Sequence, residues 1–337
     1  MKNFINKVLT GMSIGIVVAL IPGALIGELA KAIGWVEILQ LTTMSTRLLA
    51  VIMGLTIAMQ FKLTPIQSGT LAIVTAIGSG VMRFSDGSLM LVGIGDVINA
   101  GLTAAIAVGL MLLIGNKLKA YTILVIPPLI VIVVGAIGLF TLPYVAYITE
   151  AIGQMVASFT TFTPIVAGIL IAVTFALMIV SPVSTAGVAI AISLSGIASG
   201  AANLGICAAG FGLCIAGFSK NGFGTSIAHF LGSPKMQMAN LMKSPKMILP
   251  ILVNAAVCGA VAGIFQIQGT PASAGFGISG LIGPINHLNI VGYNAYNLLI
   301  TVLSFVIIPV TFAFITTYIF DKKLKVVNAD DYAIDFK

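Results

Sequence analysis

The chain has 337 residues, of which 59% are apolar and 7% charged, with a formal net charge of +7. A soluble domain carries about 25% charged residues on its water-facing surface, so this composition excludes a secreted or soluble globular enzyme. The basic residues are dispersed singly or in pairs between apolar runs, which excludes a nucleic-acid partner and points to orientation signals in a bilayer.

In chain order, apolar runs of spanning length fall at about 8–30, 42–60, 66–82, 96–115, 121–141, 162–180, 183–199, 202–218, 247–266 and 297–320. The first follows Lys2 and Lys7 but is too long for a signal peptide and lacks a cleavage pattern, so it reads as a retained span. With the first segment inside, the inner connections collect thirteen lysines and the outer ones only Lys31 and Arg83. The expected fold is therefore an all-α polytopic membrane protein of about ten helices with both ends in the cytoplasm.

Two stretches do not fit simple spans. Residues 268–290 are apolar enough for membrane depth but too rich in Gly and Pro for a continuous helix, which predicts a re-entrant hairpin entering from outside. Residues 219–246 are formally a cytoplasmic connection, yet their centre is apolar, which predicts a second hairpin or an interfacial helix. The tail at 321–337 is short and charged.

An internal repeat is expected, with one unit at about 42–141 and the other at about 162–266. Thr64-Pro65 aligns with Ser181-Pro182, each expected to open a span with a capped first turn. Asn99-Ala-Gly101 aligns with Asn203-Leu-Gly205, and Gly135–Phe140 with Gly259–Phe265. Four spans per unit is an even number, so the copies are expected to be parallel. Repeated transporter halves hold solute near the midplane, at broken helices.

Polar side chains within apolar segments mark pathways or helix caps. Arg47 reads as an anion contact or as a cation reaching the outer headgroups, and Glu28 as a partner of Lys31. Asp96 opens the fourth span as an N-cap or as a site for a solute hydroxyl or proton, with Asn99 one turn along. Asn221 and His229 lie in one odd stretch; Thr270, Ser273, Asn286 and His287 lie in the other. Planar amides, hydroxyls and imidazoles suit a polyhydroxylated solute, and these eight residues are the candidate solute-binding set. Neither histidine has a partner at metal-ligand spacing, and Cys207, Cys214 and Cys258 lie in apolar segments, so no metal or cofactor is expected.

The Ser/Thr-Pro spans, the stretch KNGFGTSIAHFLGSPKMQM and GTPASAGFGISGLIGP resemble the stand-alone membrane proteins related to enzyme IIC of the phosphotransferase system, of the perfringolysin-regulator (PfoR) type. The resemblance covers nearly the whole chain. It implies a sugar-permease-like fold, a bacterial cytoplasmic membrane location, a homodimer, and separate IIA and IIB proteins as partners. Glucose-type relatives place a glutamate in a re-entrant loop, whereas residues 268–290 contain no acidic residue, so no catalytic residue transfers. The functional expectation is transport of a small polar solute, a sugar or sugar-like metabolite, by alternating access. The rival is a ligand-binding sensor that moves nothing; an enzyme is not expected, for want of any catalytic constellation.

Overall fold

The computed structural model describes residues 2–334 apart from Asp86 and Asn116. The side chains of Lys2, Ala24, Leu25, Glu28, Leu29, Ala32 and Ala120 lie outside that description, and with them the pairing of Glu28 with Lys31. The chain forms two compact units, 1–23 with 35–148, and 24–34 with 149–337.

In the first unit, α1 (Lys2–Pro22) continues through a widened turn at Gly23–Gly27 into α2 (Glu28–Ile33), which belongs with the second unit. Helices α3 (Val36–Arg47) and α4 (Leu49–Gln60) meet at a 50° bend, and α5 (Pro65–Gly78) follows. Lipid removes the hydrophobic drive between helices, so close approach depends on small residues and interhelical hydrogen bonds. Accordingly Gly11 and Gly15 of α1 lie on the α4 backbone at Ile57 and Met53. The Thr56 hydroxyl donates to the Gly11 carbonyl at 2.6 Å across that contact.

Thr64 caps α5 through a reciprocal pair with Gln67, as the Thr-Pro pattern predicts. Between α5 and α6 (Val97–Ile114) the chain makes an antiparallel hairpin of β1 (Met82–Ser85) and β2 (Ser88–Leu91), the one two-stranded element among the described residues. Arg47 donates to the Leu91 carbonyl at 3.2 Å, anchoring the end of this hairpin. Helix α7 (Thr122–Leu129) runs through a widened turn at Ile130–Val134 into α8 (Gly135–Phe159).

The second unit is built on α9 (Pro164–Ile179), α11 (Gly196–Leu231) and α13 (Leu249–Phe265), with α10 (Thr185–Ala191) and α12 (Met238–Lys243) between them. Gly168 faces Gly259 and Gly263 faces Ile165, so α9 and α13 run antiparallel with their backbones in contact. Helices α14 (Ile282–Val291), α15 (Ala295–Val302) and α16 (Ile308–Tyr318) complete it.

Six helices are long and apolar enough to cross a bilayer, or seven if the bent α3–α4 pair is one crossing, among the described residues. The protein is thus an all-α, multi-pass membrane protein. One expected span differs in form. Residues 183–199 are not a continuous helix: α10 has seven residues and ends at a turn where Ser193 takes φ 51°. Nor does Ser181-Pro182 begin a helix; the cap is Ser184, which accepts from the Gly187 amide at 3.0 Å. An apolar composition hides such a break, because hydropathy does not register a left-handed residue.

Helix α11 contains a reversal. At Gly222 the backbone adopts φ 69° and ψ 177°, outside any helix and in the region that favours glycine. The segment 223–231 then folds back on the helix, so that Gly210 lies against Phe230 and the rings of Phe211 and Phe230 stack at 4.6 Å.

Candidate functional site

Both odd stretches of sequence are hairpin-like, and they meet inside the second unit. The segment after α13 starts beside the first turn of α11, where Gly196 and Gly269 exchange both backbone hydrogen bonds at 2.9 and 3.0 Å. It then passes along α11. The Asn203 Oδ1 accepts from the Gly277 amide at 3.0 Å and from Gly275 at 3.4 Å, and the Thr185 hydroxyl donates to the Gly275 carbonyl at 3.0 Å. At its far end the Ser279 hydroxyl reaches the Leu231 and Gly232 carbonyls at 2.8 and 3.1 Å. Those carbonyls close the folded-back part of α11. The two segments therefore touch at Ser279 and the Leu231–Gly232 carbonyls.

Above this contact α14 returns alongside the segment. His287 Nδ1 accepts from the Gln268 amide at 3.0 Å, and Asn286 Oδ1 accepts from the Thr270 amide at 3.0 Å. The same Thr270 amide lies 3.0 Å from the Ser273 hydroxyl, and the Thr270 carbonyl accepts from Ser199 at 2.8 Å. Three of the eight expected residues (Thr270, Ser273 and Asn286) are thus one connected network, and a fourth, His287, holds the neighbouring Gln268 amide. A cleft of about 380 Å³ opens on it, lined by Lys31, Ala272, Ser273, Ile282, Ile285, Asn286, Asn289 and Tyr293.

The remaining four expected residues are placed elsewhere. Asp96 caps α6 by accepting from the Asn99 amide at 2.7 Å. Asn99 is fully buried; its Nδ2 donates to the Gly78 and Gly138 carbonyls and its Oδ1 accepts from Thr141, joining α5, α6 and α8. Asn221 pairs with the main chain of residues 332 and 334. His229 is buried between the Ser226 carbonyl at 2.9 Å and Gln237 Nε2 at 3.0 Å. With the Gln237 amide donating to Nε2, the ring proton is assigned to Nδ1, facing Ser226.

Sequence reasoning missed Lys31, Tyr293 and the isoleucines of the cleft. Ile282, Ile285, Asn286, Asn289 and Tyr293 recur at three- and four-residue steps, the signature of one helical face, so the signal was present for all but Lys31.

It also missed Lys235, a buried lysine whose ammonium donates to the Ser181 and Val183 carbonyls at 2.6 and 2.7 Å, at the break between α9 and α10. Burial pushes Lys235 down from the usual 10.5 to about 7. Between those values the unfolded chain holds the proton that the folded chain has released, so stability rises with pH across that window and is flat below it. The limit is about 1.4 kcal/mol per pH unit. Thermal unfolding at pH 7 and pH 9 should show this rise in the parent protein and lose it in Lys235→Met; equal slopes in the two proteins would contradict the burial of a titrating lysine.

The family model of the phosphotransferase system EIIC matches residues 6–334. No curated protein and no solved structure matches the chain. With a match over nearly its whole length, on a multi-pass helical frame, the chain belongs to the phosphotransferase-system EIIC family, the membrane permease component, and is a membrane transporter of a sugar-like substrate.

Proposed function

We propose that the second unit binds its solute in the cleft formed by the 269–280 segment and α14, with Ser273, Asn286, Asn289 and Tyr293 meeting solute hydroxyls. The observation that carries this reading is a polar cleft lined by the irregular 269–280 segment and α14, the segment being tied at Ser279 to the end of the folded-back helix. Irregular backbone at membrane depth is tolerated where it lines a cavity, and transporter sites use it. A cleft of about 380 Å³ lies within the usual range for small ligands. Among the described residues its lining offers amides, hydroxyls, an aromatic ring and the Lys31 cation and no carboxylate, which suits a neutral or anionic sugar. Asn286 and His287 hold the irregular backbone in place beside it, by accepting from the Thr270 and Gln268 amides.

The same reading includes alternating access, parallel repeat units at 42–141 and 162–266, and ten crossings with both ends inside, the seventh broken around α10. It also includes a homodimer in a bacterial cytoplasmic membrane, served by separate IIA and IIB proteins. The lysine asymmetry supports the orientation, and the family supports the partners.

A thermal-shift panel of sugars, sugar alcohols and sugar acids on the purified protein identifies the ligand, which at about 100 times its Kd stabilises by about 2.7 kcal/mol. Asn289→Ala then tests the cleft. Asn289 is exposed and accepts from the exposed Tyr293 hydroxyl at 2.7 Å, so its loss should leave the fold intact. The expected result is an unchanged melting temperature without ligand and about tenfold weaker binding and uptake, the loss of one ligand hydrogen bond. Unaltered affinity would place the solute elsewhere; binding without flux in the parent would favour a sensor.

A further inference from the structure

The charged stretch beyond α16 is not a loose tail. Asn328 caps a short turn, accepting from the Asp330 and Asp331 amides at 2.9 and 3.2 Å. The next residues lie in a groove beside the Gly222 reversal. Tyr332 is 1% exposed, and its hydroxyl donates to the Met247 carbonyl at 2.9 Å. Its carbonyl accepts from both Asn221 Nδ2 at 2.9 Å and Gln237 Nε2 at 2.8 Å. The other end of the Asn221 amide accepts from the Ile334 amide at 2.8 Å, and Asn240 donates to the Ala333 carbonyl at 2.7 Å. Three charged contacts flank these: Lys220 with Asp330 at 2.6 Å, Ser244 with Asp331 at 2.7 Å, and Lys246 with Asp331 at 3.9 Å.

Two features distinguish this from ordinary packing. Among the described residues, the main chain of 328–334 makes backbone–backbone hydrogen bonds only within its own turn. Everything that joins it to the rest of the unit is a side chain, as when a peptide ligand is read by amides, a pocket and opposite charges. Second, the groove is built for an occupant. Gln237 is fully buried with the segment in place; its amide, which also donates to His229, and that of Asn221 each give a proton to the Tyr332 carbonyl, an acceptor that the segment supplies.

We propose that the groove formed by Lys220, Asn221, Gln237, Asn240, Ser244 and Met247 is a binding site for an acidic, tyrosine-anchored peptide, occupied in cis by residues 328–334 as a detachable latch on the Gly222 reversal. Asn221 directly precedes the reversal. The folded-back segment 223–231 that follows it carries the Leu231 carbonyl bonded to Ser279, at the far end of the 269–280 segment that lines the cleft. A seated latch holds that segment; a released latch frees it. The link to solute movement rests on the proposed location of the solute site, whereas the binding of the peptide does not.

The experiment uses protein lacking residues 328–337 and a synthetic peptide of those ten residues. Deletion should lower the melting temperature and change the rate of solute uptake. The added peptide should bind saturably and reverse both effects, whereas a peptide carrying Tyr332→Ala should do neither. A monodisperse truncated protein that ignores the peptide, or a deletion without effect on melting, overturns the proposal. Peptide binding that restores melting but not uptake retains the latch and removes its link to the solute site.

Should the truncated protein fail to fold, the full chain with Tyr332→Ala decides. Hydrogen exchange of the Ile334 amide, which Asn221 holds, should then be about tenfold faster than in the parent, because exchange follows the open population of the segment. An unchanged exchange rate overturns the latch.

Discussion

Gly200→Ala, the addition of one methyl group, should disable the protein. A Cβ at this position would fall inside the van der Waals shell of the Ile267 carbonyl, which is backbone and held on both sides. On one side is the end of α13; on the other, Gly269 is fixed to Gly196 by two hydrogen bonds and Thr270 to Ser199 by a third. The clash therefore has no flexible side chain to displace, and it lifts the 267–270 backbone from α11, taking the Asn286 and His287 contacts with it. The expected cost is about 1–3 kcal/mol, the range for overpacking, with loss of solute binding. Gly109→Ala in α6 is the control, because its Cβ would meet nothing within 4 Å. There the substitution removes glycine's helix penalty of about 1 kcal/mol and should be neutral or stabilising. Equal melting temperatures for the two variants would contradict the close packing of α11 on the segment.

The second large effect is expected at Asn99. Its side chain joins three helices by hydrogen bonds to the Gly78 and Gly138 carbonyls and from the Thr141 hydroxyl, all at a fully buried point where Gly78 and Gly138 let the helices approach. Asn99→Leu removes the amide donor from the Gly78 and Gly138 carbonyls and the Asn99 acceptor from Thr141, which keeps its bond to the Gly138 carbonyl at 3.1 Å, and puts apolar carbon where the amide was. At about 1–3 kcal/mol for each buried group left unsatisfied, the substitution should cost several kcal/mol and sharply reduce the amount of folded protein in membranes. The protein that does fold should keep its apparent affinity for the solute. Normal stability with weakened affinity would instead give Asn99 the solute-binding role that its position in the sequence suggests.

These two residues show what a sequence discloses and what it does not. Apolar runs reveal the long helices, because hydropathy is a local property. Thr64-Pro65-Ile66-Gln67 reveals its cap for the same reason: both partners of the reciprocal pair lie within one turn. The two odd stretches were visible as glycine and proline in segments too apolar for loops. What lies between them was not. The Ser279 contact with Leu231 spans 48 residues and the Asn203 contact with Gly277 spans 74. Asn221 looked like a solute ligand because an amide in an apolar stretch requires a partner, and that requirement is correct. Its partner, 111 residues away at Tyr332, has no local signature. The reversal at Gly222 is a single glycine in a glycine-rich run, distinguishable from its neighbours only by its backbone angles.

The cleft on α14 gives the account its most direct test. In a background with Cys207, Cys214 and Cys258 replaced, all of them buried here, a single Asn289→Cys thiol is labelled with a maleimide in the presence and absence of the sugar that shifts the melting temperature. The account predicts that saturating sugar slows labelling at this position, with the same concentration dependence as the thermal shift. A sugar that stabilises the protein yet leaves labelling at residue 289 unchanged would contradict the assignment of the solute to this cleft.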